Sequence, residues 1–114
     1  MIIAIDFDGT IVEHEYPEIG KIIPHAFKSI RLIQEHGHTI ILWTFRYGKR
    51  LDEAVEFCKQ NGVEFDAVNS NEPNEVFDNT YSRKIYADIY IDDRNILGIP
   101  DWKAIVKIIM PELS

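Results

Sequence analysis

Apolar residues fall in short runs that stop abruptly at polar ones, and helical stripes separate the runs. Residues 1–5 are apolar and lead straight into Asp6-Phe7-Asp8-Gly9-Thr10. Residues 39–43 carry Ile40-Ile41-Leu42-Trp43 and lead into Thr44, with Arg46 two residues on. Residues 87–91 run into Asp92-Asp93-Arg94. Continuous apolar runs are the pattern of parallel strands covered on both faces. Residues 65–68 predict a shorter strand, and 96–99 a short fifth.

Helical spacing fills the gaps. Pro24 suits a first helical position. Ala26, Phe27, Ile30 and Ile33 then form a stripe, and Gly37 reads as a C-cap. Over 51–60, Leu51, Ala54, Val55 and Cys58 fall at i, i+3, i+4 and i+7, a core-facing face. Asp101 can cap a last helix carrying Trp102, Ile105, Ile108 and Ile109. Residues 11–23 read as a loop or small flap and 69–82 as a polar loop.

Strands alternating with helices predict an α/β fold: a three-layer, doubly wound, Rossmann-like parallel sheet with right-handed crossovers. The order 3-2-1-4-5 brings the first, second and fourth strand ends together. It also sets Asp6 at a switch point, where ligands bind in open α/β sheets.

Composition narrows the partners. A chain of 114 residues suits one domain, 1–114, with one substantial core. The net charge of −7 disfavours broad nucleic-acid or anionic-membrane binding. No run of 18 apolar residues predicts a spanning helix, and the start lacks the basic region of a signal peptide. The single cysteine, Cys58, forbids an internal disulfide and fits a reducing cytoplasm.

The predicted strand ends gather Asp6, Asp8, Thr10, Thr44, Arg46, Lys84, Asp92 and Asp93. Two unit charges 4 Å apart repel by about 4 kcal/mol at an effective dielectric of 20. Four carboxylates in one pocket therefore call for a counter-charge. All-oxygen ligands favour Mg²⁺ over zinc, and Mg²⁺ works with phosphate groups. Thr44, Arg46 and Lys84 supply donors for phosphate oxygens. An Asp can be the nucleophile, forming an aspartyl phosphate. Asp8 can then serve as acid for the leaving oxygen and base for water.

Asp6-x-Asp8-Gly9-Thr10, then Thr44, Lys84 and Asp92-Asp93, resemble the four signature motifs of the haloacid dehalogenase (HAD) superfamily in that chain order. The likeness covers nearly the whole chain. It implies that Asp6 is nucleophile and metal ligand, and that Asp8 is general acid/base with its carbonyl on Mg²⁺. It further implies that Thr10 and Gly9 support the loop, that Thr44 and Lys84 hold phosphate, and that Asp92 and Asp93 serve the metal. Arg83 adjoins Lys84 and competes for its role. An acid at position 8 resembles the phosphatase branches of the family. Segments 11–23 and 69–82 are too short for a cap domain, so a capless Mg²⁺-dependent phosphatase is expected. Tyr16, Tyr47, Asn71 and Arg83 are placed to select a phosphorylated substrate.

A receiver-like, phosphate-responsive binding module is the alternative. In that family the acidic pair precedes the acceptor; here it follows. The four histidines, His14, His25, His36 and His38, share no metal-ligand spacing and read as surface residues. Trp43 and Trp102 read as packing. Substrate identity and self-association stay open.

Overall fold

The computed structural model describes residues 1–70 and 85–113. Its strands are β1 (Ile2–Ile5), β2 (Thr39–Leu42), β3 (Ala67–Val68) and β4 (Ile89–Ile91). Its helices are α1 (Ala26–Glu35), α2 (Gly48–Gln60) and α3 (Trp102–Ile109). The strands form one sheet in the order β3-β2-β1-β4, and every pairing is parallel. Ile5 stands level with Leu42 on one side and Ile91 on the other. Three strand ends therefore finish at the same height, with β1 in the middle.

Alternation along β1 divides the core. Ile3 and Ile5 join Ile40, Leu42 and Ile91 in a cluster with Phe27, Ile30 and Ile33 of α1, Ala54 and Cys58 of α2, and Trp102 and Ile105 of α3. Phe57 of α2 meets the rings of Phe7 and Phe27 edge-on or tilted. Ala4, Ile41, Ala67 and Ile85 form a second cluster on the opposite face. All three described helices contribute to the first cluster. Among the described residues the α/β layering is thus seen on one face, and the connection between β3 and β4 lies largely outside them.

The fifth strand is a correction. Residues 96–99 form no strand: the chain turns over 95–98, closed by a hydrogen bond from Gly98 N–H to the Asn95 carbonyl. Ile96 and Leu97 are fully exposed at 101% and 95%. Gly98 has φ +77°, which breaks an extended run. The aliphatic composition looked like a strand, but the backbone turns there.

Helix boundaries moved for local reasons. Helix α1 begins at Ala26, because Pro24 and His25 form a turn with His25 at φ +68°. Gly37 at φ +91° follows the helix as expected. Helix α2 starts three residues before the predicted Leu51. Asp101 caps α3 as expected, its carboxylate accepting from Ala104 N–H at 2.9 Å. Cys58 is buried, which pushes its thiol up to about 12 and leaves it unreactive. Among the described residues no helix is long and apolar enough to cross a membrane.

Candidate active site

Asp6 continues the β1 ladder, donating its N–H to the Ile91 carbonyl at 3.0 Å. That pairing puts its side chain beside Asp92 and Asp93, which follow β4. Carboxylate oxygens of the three residues lie within 4.8 Å of one another, and all three side chains are half-buried. The Asp6 carboxyl is pushed up to about 7 from an ordinary 3.8. Burial is the main cause, then repulsion from Asp92, with smaller pushes from Asp93 and Asp8 against a stabilising Phe7 N–H.

Asp93 is the most constrained member of the cluster. Its Oδ1 is buried and has no hydrogen-bond partner among the described residues. Gly9 lies against the same carboxylate, and a Cβ there would sit 2.1 Å from Asp93 Oδ2. Gly9 also has φ +84°, so both space and backbone demand glycine. Three clustered carboxylates with an orphaned buried oxygen fit a hard divalent cation such as Mg²⁺.

The turn that presents Asp6 is tightly bound. The N–H groups of Thr10, Ile11 and Val12 all donate to the Phe7 carbonyl, and Gly9 N–H donates to Val12. Trp102 Nε1 of α3 donates to the Thr10 carbonyl at 3.0 Å, a structural use of a residue expected only to pack. The Thr10 side chain is fully buried, and its hydroxyl has no hydrogen-bond partner among the described residues. Thr10 thus braces the loop through its backbone.

Arg46 is a correction. Its expected place was on phosphate. Instead its Nε and Nη2 grip both oxygens of Asp8 at 2.8 and 2.7 Å, and both side chains are wholly buried. The guanidinium also donates to the Pro17 and Glu18 carbonyls. It lies 5.1 and 5.0 Å from the centres of the Phe7 and Tyr16 rings. The hydrogen bond to Asp8 is the first cause of a raised Arg46 pKa. The physical reason is desolvation: the acidic Asp8 at this depth requires a bidentate partner, and Arg46 is within reach.

Thr44 lies where expected, buried and lining the crevice. Its hydroxyl accepts from Arg46 N–H at 3.1 Å, and its own hydrogen has no acceptor among the described residues. Thr44 N–H donates to Asn69 Oδ1 at 2.8 Å. Asn69 holds φ +53°, a left-handed conformation that Asn tolerates better than most residues. Lys84, Arg83 and Asn71 lie outside the described residues.

The crevice holds about 280 Å³ and is lined by Asp6, Asp8, His14, Trp43, Thr44, Phe45, Asp92 and Arg94. Sequence reasoning missed four of these. Arg94 follows the acidic pair directly, and its N–H donates to Asp92 Oδ1. Phe45 follows Thr44, so adjacency was the available signal for both. The pattern of the chain predicts a surface role for His14 and a packing role for Trp43, yet both line the crevice. Trp43 does pack, its ring 5.0 Å from that of Tyr90, but it also walls the crevice. His14 gave no signal, because only the folded flap brings it over the strand ends. The flap itself is a closed loop, with Glu13 N–H donating to the Lys21 carbonyl and Ile23 N–H to Ile11.

These features define a Rossmann-like α/β protein with an acidic crevice at the carboxyl end of a parallel sheet. No protein-family model matches the chain, and no curated protein does. A solved structure of a conserved protein coded by a locus from Bacteroides thetaiotaomicron is similar at 50% identity and TM-score 0.91. The match covers 100% of this chain and 93% of that one. The chain belongs to the same family as that conserved Bacteroides protein.

Proposed function

We propose that the protein is a Mg²⁺-dependent phosphohydrolase of HAD type that works through an aspartyl phosphate. The observation that carries this is the carboxylate trio: Asp6, Asp92 and Asp93 converge at the strand ends, and Asp93 Oδ1 is buried with no hydrogen-bond partner among the described residues. These three would hold the cation, together with the Asp8 carbonyl. Bound there, Mg²⁺ would neutralise charge on the acidic groups and on a phosphate.

In the first step an Asp6 carboxylate oxygen attacks phosphorus. A new P–O bond forms to Asp6, the bond to the alcohol oxygen breaks, and the alcohol leaves with a proton. In the second step water attacks the aspartyl phosphate and gives up a proton, releasing inorganic phosphate and restoring the carboxylate. Asp8 is the proton carrier for both steps. Thr44 has a hydrogen to donate to a phosphate oxygen. Among the described residues, Arg94 lines the crevice and can offer phosphate the guanidinium expected of Arg46.

Asp8 accepts at both oxygens from Arg46, the bonding of a carboxylate anion. That form suits the second step as it stands. To carry a proton into the first step, at least one of the two hydrogen bonds must give way. The same lock favours the alternative, a module that binds phosphate without turnover. Steady release of phosphate separates the two. A panel of phosphomonoesters should be hydrolysed with Mg²⁺ and not with excess chelator. Absence of release across the panel would leave the binding module.

Two further outcomes are expected. Asp8→Asn should lower turnover of an alkyl phosphate about a hundredfold or more, the size of a general acid/base contribution. A change under about threefold would remove Asp8 from that role. Mg²⁺ should raise the melting temperature with concentration, because a ligand of the native state stabilises by linkage. Asp92→Ala should flatten that response. Melting that ignores Mg²⁺ in the wild type would contradict the metal assignment.

A further inference from the structure

The crevice is acidic and polar on the β4 side and aromatic on the other. Phe45 directly follows Thr44 yet leaves 55% of its surface in water. It stands nearly parallel to the His14 imidazole, at 21° and 6.4 Å between ring centres. Tyr16 tilts against its ring at 5.0 Å. Tyr16 is itself fixed, because its ring lies over the buried Arg46 guanidinium. Phe45 therefore rests on an already assembled support, and the described residues leave its exposed part uncovered.

Beyond the same residues the crevice widens. A second open basin of about 610 Å³ shares Trp43, Thr44 and Phe45 with it and runs on to Tyr47, Leu51 and Asn69. Tyr47 there is 77% exposed. A phosphate held at Asp6 and Thr44 would thus have its ester group pointing along an aromatic wall. Exposed apolar groups rimmed by polar ones, continuous with a polar site, are the arrangement that binds small molecules.

We infer that the preferred substrate is a phosphomonoester whose alcohol carries a flat ring, stacked on Phe45 at the His14–Phe45–Trp43 wall. The inference rests on the phosphatase reading for its orientation but not for its test. Aromatic faces bind flat π-systems better than puckered rings of equal size. The ring can belong to a nucleobase or to a simple aryl group, since both present the same face.

The test uses binding, so it does not depend on turnover. Benzylphosphonate and cyclohexylmethylphosphonate match in charge and length and differ in flatness. With Mg²⁺ present, the benzyl compound should bind the wild type about tenfold more tightly, the size of one aromatic contact. Phe45→Leu should bring the two affinities within about threefold, while Phe45→Trp, which keeps a flat face, should retain the preference. Equal affinities in the wild type, or a preference untouched by Phe45→Leu, would overturn the inference. Failure of both compounds to bind would overturn it too. Displacement of benzylphosphonate by adenosine 5′-monophosphate points to a nucleobase and by phenyl phosphate to an aryl ring. Phosphate release from a ring-free ester, measured alongside, reports separately on the phosphatase reading.

Discussion

Asp6→Asn is expected to abolish phosphate release and, in the same protein, to raise stability. Loss of the nucleophile removes the covalent route, so turnover should fall by about a thousandfold or more. The gain in stability follows from the Asp6 environment. The folded-state value, about 7, lies above the ordinary 3.8. Between those values the native state keeps the proton while the unfolded chain has lost it. Stability from this group is therefore full below about pH 4 and declines as pH rises to about 7. Above that, metal-free wild type carries a charged carboxylate in a site that resists it. At 1.36 kcal/mol per pK unit, and allowing for partial exposure, the penalty is on the order of 2–4 kcal/mol. Asn is nearly isosteric and uncharged, so at pH 8 without Mg²⁺ the variant should melt about 10 °C higher. The gain should shrink as pH falls toward 5, where the wild type holds its proton. Equal melting at both pH values would contradict the burial and repulsion assigned to Asp6.

Arg46→Met is expected to destabilise the fold by about 3–5 kcal/mol, because it leaves the Asp8 carboxylate buried and unpaired. Few single changes in this chain should cost as much. Arg46→Lys should not rescue it, since an ammonium cannot reproduce the two parallel hydrogen bonds or the contact with the Phe7 and Tyr16 rings. The double variant Asp8→Leu with Arg46→Met should recover much of the loss, as apolar replacements of buried pairs often do. Denaturant melts give the comparison. A cost under about 1 kcal/mol for Arg46→Met would show that the pair is readily hydrated, against its complete burial.

The two halves of the site differed in how far they could be read from sequence. Asp6, Asp92 and Asp93 were placed by backbone rules alone. Parallel strands of matched height with β1 central force the residues after Ile5 and Ile91 together, whatever the side chains do. Arg46 was misplaced because its role depends on side-chain direction. Sequence spacing put it near the strand ends, but whether a long side chain reaches outward to a ligand or inward to Asp8 depends on packing. Asp8 at that depth decides it. His14 and Phe45 were missed for a related reason. Their approach depends on how the flap closes between Glu13 and Lys21. Residues 96–99 misled in the opposite sense: Ile96 and Leu97 have strand-like composition, but the chain turns from Asn95 to Gly98 instead of pairing with the edge of β4.

The covalent intermediate offers the most direct measurement. Asp8→Asn protein, mixed with Mg²⁺ and p-nitrophenyl phosphate, should accumulate a phosphoryl group. That leaving group needs little protonation, so the first step proceeds while hydrolysis lacks its base. Acid quenching and peptide mapping should find the phosphoryl group on Asp6, and excess chelator should abolish it. Phosphate release by the wild type with no phosphoryl group trapped on Asp6, or a phosphoryl group on a different residue, would contradict the assignment of Asp6 as nucleophile.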